Sequence, residues 1–238
     1  MHIYIEKLFG NSIHTNAKVF VLLDKIGLKF LSRLIFRYIT SKNRRKYRHQ
    51  KKRKLELGPG ENRIPGFETM NVYFGPNVDY ILDITEKLPF DDDTFEIIYA
   101  SHIFEHIPWY KINEVLTECF RILNHGGVLE IWVPDGFKIC NALIKYENTG
   151  EDDSKLDGWY RLNPEQDPHL WASGRIFSYG DGTGNINNPN WHRTLFTPKL
   201  LRKLLKKNGF DNITKMDSKE VRATDHGWIN LGIKARKQ

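Results

Sequence analysis

Between residues 51 and 148 the apolar positions fall into short runs separated by glycine, proline and acidic turns. Runs of this length, rich in Leu, Ile, Val and Phe, predict strands at Lys54–Leu57, Thr69–Val72, Tyr80–Leu82, Phe95–Ala100 and Val128–Val133. Between the last two lies a different period. Ile112, Val115, Leu116, Cys119, Phe120 and Ile122 share one helical face, predicting a helix from about Tyr110 to Leu123 that stops at His125-Gly126-Gly127 with a left-handed glycine. Strands alternating with helices argue for an α/β domain built on a mainly parallel sheet covered on both faces.

The flanking regions read differently. In residues 1–50, Val19, Leu22, Leu23, Ile26, Phe30 and Leu34 recur at helical spacing behind Asn16, a candidate N-cap, and Lys25, Lys29, Arg33 and Arg37 form a basic stripe. This predicts a helical appendage to a domain spanning 51–238. Residues 149–195 hold few aliphatics but carry Trp159, Tyr160, Trp171, Phe177, Tyr179 and Trp191 beside Gly180, Gly182 and Gly184, an aromatic-rich insertion too long for a plain connection. Helical spacing returns from Thr197 (Leu200, Leu201, Leu204, Leu205), ends at Asn208-Gly209 and gives way to two closing strands.

Charge changes the picture only at one place. Nine Lys or Arg lie between Lys42 and Lys54 with no acid among them, and removing those nine from the net charge of +7 leaves the rest of the chain at −2. The basicity is therefore a local device, suited to an anionic membrane surface reached through residues 16–54. A packed helix followed by a solvated charged linker accounts for the same pattern. Nucleic acid is the less favoured partner, because no base-recognition motif accompanies the basic run. Five charges between Val19 and Ile39 are too many for a bilayer span, and no apolar core precedes a signal-cleavage site. Cys119 and Cys140 have no disulfide or metal spacing, and a cytoplasmic location is the expectation, with peripheral attachment to the inner membrane face as the alternative.

The chemistry is carried by an ordered series. Leu55-Glu56-Leu57-Gly58-Pro59-Gly60 is a strand ending in a glycine turn, where a ligand approaches the backbone closely. Asp83-Ile84-Thr85 precedes Leu88-Pro89-Phe90, and Asp91–Glu96 enters an apolar strand that ends at Ser101-His102-Ile103-Phe104-Glu105-His106. Glu118-Cys119-Phe120-Arg121-Ile122-Leu123-Asn124-His125-Gly126-Gly127 then leads to Asp135. This succession closely resembles the class I S-adenosylmethionine-dependent methyltransferases, over about residues 54–135 and again over Phe196–Phe210.

The resemblance implies a Rossmann-like, mainly parallel seven-stranded sheet with S-adenosyl-L-methionine as cofactor. It implies that Gly58, Pro59 and Gly60 pass beneath the methionine part, that Glu56 organises its ammonium end, and that Asp83 faces the adenine amino group with Ile84 against the ring. Ser101 and His102 would close the pocket. The family's ribose-binding acid is absent: Asn71-Val72-Tyr73 stands in its place, and a tyrosine cannot accept two hydroxyl protons as a carboxylate does. Either Asn71, Tyr73 or a neighbour substitutes, or cofactor affinity is weakened.

Methyl transfer needs an aligned nucleophile and, for an alcohol, a proton acceptor. Glu105, His106, Asp135 and His192 are the candidate catalytic residues, with His169 in the insertion less favoured. No group of residues has metal-ligand spacing, so metal-independent chemistry is expected. Trp159, Trp171 and Trp191 suit either stacking on sugar rings or covering the cofactor. A sugar or surface-glycan acceptor is the leading expectation, followed by another small metabolite or lipid, and then by a catalytically silent binding module. Gly180-Asp181-Gly182-Thr183-Gly184 lacks the Lys-Ser/Thr ending of a phosphate loop and reads as a flexible loop or lid hinge. Asn188-Pro189-Asn190-Trp191 resembles the amine-methylating motif of DNA methyltransferases but lies in the wrong place in the chain.

Overall fold

The computed structural model describes residues 29–238, with side chains from residue 33 onward. The Asn16 N-cap and the Val19–Ile26 stripe lie outside the described residues. A seven-stranded sheet runs in the order β3-β2-β1-β4-β5-β7-β6. Its strands are β1 (Lys54–Leu57), β2 (Glu68–Asn71), β3 (Tyr80–Ile81), β4 (Phe95–Ser101), β5 (Leu123–Pro134), β6 (Phe210–Lys215) and β7 (Asn230–Lys237). β1 to β5 pair in parallel, whereas β7 is antiparallel to both β5 and β6. The order reverses at β1, so the crevice for a ligand lies beyond the carboxyl ends of β1 and β4.

Leu55, Leu57, Ile98, Ala100, Leu129, Ile131, Val133, Leu231 and Ile233 are buried in one core with the helix faces that cover them. α2 (Ile112–Ile122) buries Ile112, Val115, Leu116, Cys119 and Ile122. It ends within a residue of the expected Leu123; Gly126 is left-handed as expected but lies inside β5, which takes up His125-Gly126-Gly127, and not in a helix cap. α5 (Pro198–Lys207) begins on the Thr197 cap and buries Leu201 and Leu205.

α1 (Lys29–Tyr47) lies against the β3 edge, where Phe36 and Ile39 meet Val78 and Ile81. Polar contacts fix it there: Asn43 Nδ2 donates to the Asp79 carbonyl at 2.7 Å and the Ile81 amide donates to Thr40 Oγ1. Much of the basic run is thus the end of this helix and the turn into β1 rather than a free linker. None of the helices among the described residues is long and apolar enough to cross a membrane.

The aromatic-rich insertion is ordered around α3 (Gly136–Thr149) and α4 (Pro168–Phe177). Asp167 caps α4 with Pro168 at its first position, the preferred start of a helix. Ile139, Ala142, Trp171, Ala172 and Ile229 form a second small core.

Candidate active site

At the end of β1 the chain turns through Gly58 and Gly60, both left-handed, with Pro59 buried between them. A Cβ on Gly58 would lie 2.0 Å from Ile103 Cδ1, so the Ile103 side chain would have to shift, and the left-handed backbone itself disfavours any other residue. A Cβ on Gly60 would meet nothing within 4 Å, which marks the open side of the turn. Glu56 is buried, and its Oε2 accepts the Ile64 amide at 2.8 Å, tying the loop beyond the glycines to β1. Burial raises its pKa, and the Ile64 amide and Arg63 only partly oppose this.

The neighbouring strand ends supply polar groups. Asn71 Oδ1 accepts the Tyr73 amide at 3.3 Å. Tyr73 packs on the Val78–Ile81 cluster, and burial followed by the charge of Asp181 raises its pKa, so its hydroxyl stays neutral. Asp83 is exposed, with Oδ1 accepting the Thr85 amide and hydroxyl, each at 2.8 Å. Ile84, expected against an adenine ring, is buried in the main core. Ser101 donates to the Thr224 carbonyl, so a C-terminal segment covers the end of β4. An open glycine turn flanked by Asn71, Tyr73 and an exposed carboxylate fits a ligand with a charged tail and a nucleoside head.

The second part of the site is non-local. His102 adopts a left-handed backbone (φ 56°), and its Nδ1 donates to Glu105 Oε1 at 3.1 Å. Glu105, in the turn Phe104–His106, is 2% exposed, and its Oε2 has no hydrogen-bond partner among the described residues. Its carbonyl accepts the amides of Arg193 (2.7 Å) and Thr194 (3.1 Å), which draws His192 alongside. Because carbonyl oxygens only accept, His192 Nδ1 donates to Arg175 O at 3.0 Å and His106 Nδ1 donates to Trp191 O at 3.4 Å. The His106 and His192 rings meet edge to face, 5.0 Å apart. One polar atom from each of Glu105, His106 and His192 lies within 4.8 Å of the others.

Burial is the largest influence on Glu105 and by itself would raise its pKa. The His102 bond and the facing imidazoles outweigh it and hold the carboxyl down at about 2. Burial pushes His192 down to about 4 despite the opposing charge of Glu105, leaving its ring neutral. His192 opens into a cavity of about 540 Å³ lined also by Phe177, Ile186, Asn187, Trp191 and Arg193.

Asp135 is elsewhere in role: it is buried at the start of α3, where Oδ1 accepts the Phe137 and Lys138 amides. His169 is exposed on α4, bonded to Asp167 and Glu147. The tryptophans separate. Trp171 is core, with Nε1 donating to Asp157, and so cannot stack on an acceptor. Trp159 lies under the Arg175 guanidinium, and only Trp191 of the three lines the cavity. Sequence reasoning missed Arg175, His226 and Arg193. Arg175 is paired bidentately with Asp157 and donates to His226 Nδ1 at 3.0 Å, and no local pattern marks any of them.

A family model described as "Methyltransferase domain" matches residues 61–131, from the glycine-turn loop through β4 and α2 into β5. That match, over less than a third of the chain, supports assignment to the class I S-adenosylmethionine-dependent methyltransferases. The same match supports S-adenosyl-L-methionine as the cofactor. Among curated proteins, the Caenorhabditis elegans sterol 4-C-methyltransferase strm-1 is 27% identical over 73 residues, 31% of this chain. That match spans only 21% of the relative's own length. Among solved structures, a Methanosarcina mazei S-adenosylmethionine-dependent methyltransferase matches at TM-score 0.46 and 16% identity, over 80% of this chain and 95% of that one. A Thermotoga maritima methyltransferase titled a possible histamine N-methyltransferase matches at 0.42 and 16%, over 92% and 99%. Likeness at that level carries no argument about substrate.

Proposed function

We propose that this methyltransferase transfers a methyl group to a hydroxyl of a small, partly apolar acceptor held in the Phe177–Ile186–Trp191–His192 cavity. The cofactor, when bound, supplies the electrophilic methyl. The glycine turn lets it approach the backbone, and Asp83 and Asn71 are the groups that would orient its nucleoside end. His192 carries the reading. It is neutral, its Nδ1 is committed to a carbonyl, and its remaining nitrogen keeps a lone pair beside the cavity and Glu105. A positioned base of this kind typically contributes about 10²–10⁴-fold. Glu105 stabilises the charge that forms on His192 as the proton moves, and His106 opposes it. Asp135, as a buried helix cap, acts by holding α3 in place.

Phe177, Ile186 and Trp191 give the cavity an apolar wall, which favours a lipid-like acceptor; the partial relative is named for a sterol methylated at carbon, so it agrees in acceptor class and not in the methylated atom. A sugar or surface glycan is the second reading. It is favoured by Trp191, whose ring offers a stacking face, and by Asn187 and Arg193 at the same cavity. The basic outer face of α1 would hold the protein at an anionic membrane surface, where both acceptor classes occur. The test is release of S-adenosylhomocysteine from purified protein with hydroxylated sterols and lipids in one panel and nucleotide sugars and glycans in another. Turnover by one panel, lost in His192→Ala, supports the reading and chooses the acceptor. Tight cofactor binding without turnover by either would favour a silent binding module.

A further inference from the structure

Glu105, His106 and His192 have the composition of a metal-binding triad, although 86 residues separate the two histidines in the sequence. Two imidazoles and a carboxylate are a donor set that suits zinc and neighbouring first-row divalent ions. Three independent features of this site go beyond composition. Each imidazole has its Nδ1–H engaged by a backbone carbonyl, Trp191 O for His106 and Arg175 O for His192. That arrangement fixes the tautomer so that the opposite nitrogen carries the lone pair, which is how metal-bound histidines are held. Glu105 has one oxygen bonded to His102 and the other, Oε2, buried and partnerless among the described residues. A buried carboxylate oxygen left unsatisfied is costly unless a ligand meets it.

The spacing is close to what an ion needs. Bonds of about 2.0–2.2 Å put neighbouring ligand atoms roughly 3–3.6 Å apart. The three donor atoms here lie within 4.8 Å of one another, so small side-chain rotations bring them to one centre. The backbone resists larger change, because Arg193 and Thr194 amides bind the Glu105 carbonyl and Thr194 Oγ1 binds Ile107 O at 2.6 Å.

We infer that Glu105, His106 and His192 form a binding site for one divalent transition-metal ion, of the zinc or cobalt class, at the edge of the acceptor cavity. This rests on the acceptor-site reading and deepens it. An ion held there would lower the pKa of a hydroxyl entering from the cavity, its proton passing to solvent water, and His106 and His192 would then serve as ligands, His192 in place of the free-base role it has without the ion. The expectation of metal-independent chemistry came from spacing along the chain, which does not register donors brought together by folding.

The experiment uses full-length protein stripped with chelator and titrated with Co²⁺ and Zn²⁺, read by visible cobalt absorption and by calorimetry. Expected is one ion per chain, with cobalt bands of a low-coordinate nitrogen–oxygen site. His192→Ala and His106→Asn should each raise the Kd by at least about tenfold. His125→Ala, an exposed histidine bonded to the C-terminal carbonyl, should leave it unchanged. Glu105→Gln adds the third ligand, and circular dichroism of each variant separates lost binding from lost folding. Failure to bind either ion, or binding that folded His106 and His192 variants retain, overturns the proposal. Calorimetry with S-adenosylmethionine on the stripped protein is read separately: loss of that binding would overturn the cofactor reading and leave the ion site standing.

Discussion

His102 at the end of β4 lies flat against His226 from the segment before β7, with ring centroids 3.8 Å apart and planes inclined by 16°. Arg175 donates to His226 Nδ1, so two cationic or potentially cationic groups face one imidazole, with Glu105 and His192 nearby. Burial first, then His102 and Arg175, push the His226 pKa down to about 3, against an ordinary value of 6.5. The unfolded chain therefore takes up a proton in that window that the folded chain refuses, and stability rises with pH between 3 and 6.5. Acidification from pH 7 to 5 should weaken the fold, His226 contributing at most about 1.4 kcal/mol per pH unit below 6.5. His226→Gln should flatten, without abolishing, the fall in urea midpoint, because His192 contributes in the same direction. Equal slopes for the two proteins would remove His226 from the account.

Arg121 explains why a sequence motif is readable without being catalytic. Its guanidinium donates to the Phe90 and Leu88 carbonyls and to both Glu118 oxygens, while Glu118 Oε1 accepts the Leu88 amide at 2.7 Å. The pair staples the Leu88-Pro89-Phe90 turn to α2. Charge-assisted bonds to partly buried partners contribute about 1.5–3 kcal/mol. Arg121→Ala should lower stability by about 2–3 kcal/mol in chemical denaturation and leave S-adenosylmethionine affinity within about twofold. A selective loss of affinity with stability intact would contradict the staple.

Gly58 and Gly60 predict a split between stability and binding. Both are left-handed, a conformation that costs roughly 1–2 kcal/mol for other residues. At Gly58 the added methyl also collides with Ile103, so Gly58→Ala should destabilise the fold more than Gly60→Ala does. At Gly60 the methyl enters open space on the side from which the cofactor approaches, so Gly60→Ala should lose cofactor affinity by more than its loss of stability explains. Paired thermal melts and calorimetry decide it. Unaltered binding in Gly60→Ala would move the cofactor away from that face.

These cases mark what was legible in the chain. Local periodicity located β1 and α5, and the order of Gly58, Asp83, Leu88-Pro89-Phe90 and Gly126-Gly127 pointed to the family, because each feature is written within a few residues. The end of α2 is legible to within a residue, but the Gly126-Gly127 pair belongs to β5, which pairs with β4 from Leu123 onward, and not to a helix cap. Tryptophan count suggested stacking surfaces, but burial against Ile139 and the Asp157 bond decide Trp171. The cluster of His102, Glu105, His106, Arg175, His192 and His226 was half visible. Its members from β4 sit in a recognisable segment, whereas Arg175 and His226 arrive by tertiary packing that no spacing encodes.

The outer face of α1 leads to the last prediction. Arg37, Tyr38, Ser41, Lys42 and Arg45 line a shallow depression there, with Leu34 45% and Tyr38 54% exposed. The opposite face is engaged through Thr40, Asn43 and Tyr47, the last donating to Asp79, so the cations point away from the sheet on a helix that cannot easily turn. Cations near an anionic surface contribute about 1 kcal/mol each, and the apolar exposure of Leu34 and Tyr38 adds to that. Full-length protein should sediment with phosphatidylserine vesicles and not with phosphatidylcholine alone, and binding should weaken as salt rises. The triple substitution Arg37→Ala, Lys42→Ala, Arg45→Ala removes roughly 3 kcal/mol and should lower the partition by about 100-fold while leaving cofactor affinity intact. Equal sedimentation of the variant would assign α1 to holding the β3 edge and nothing more.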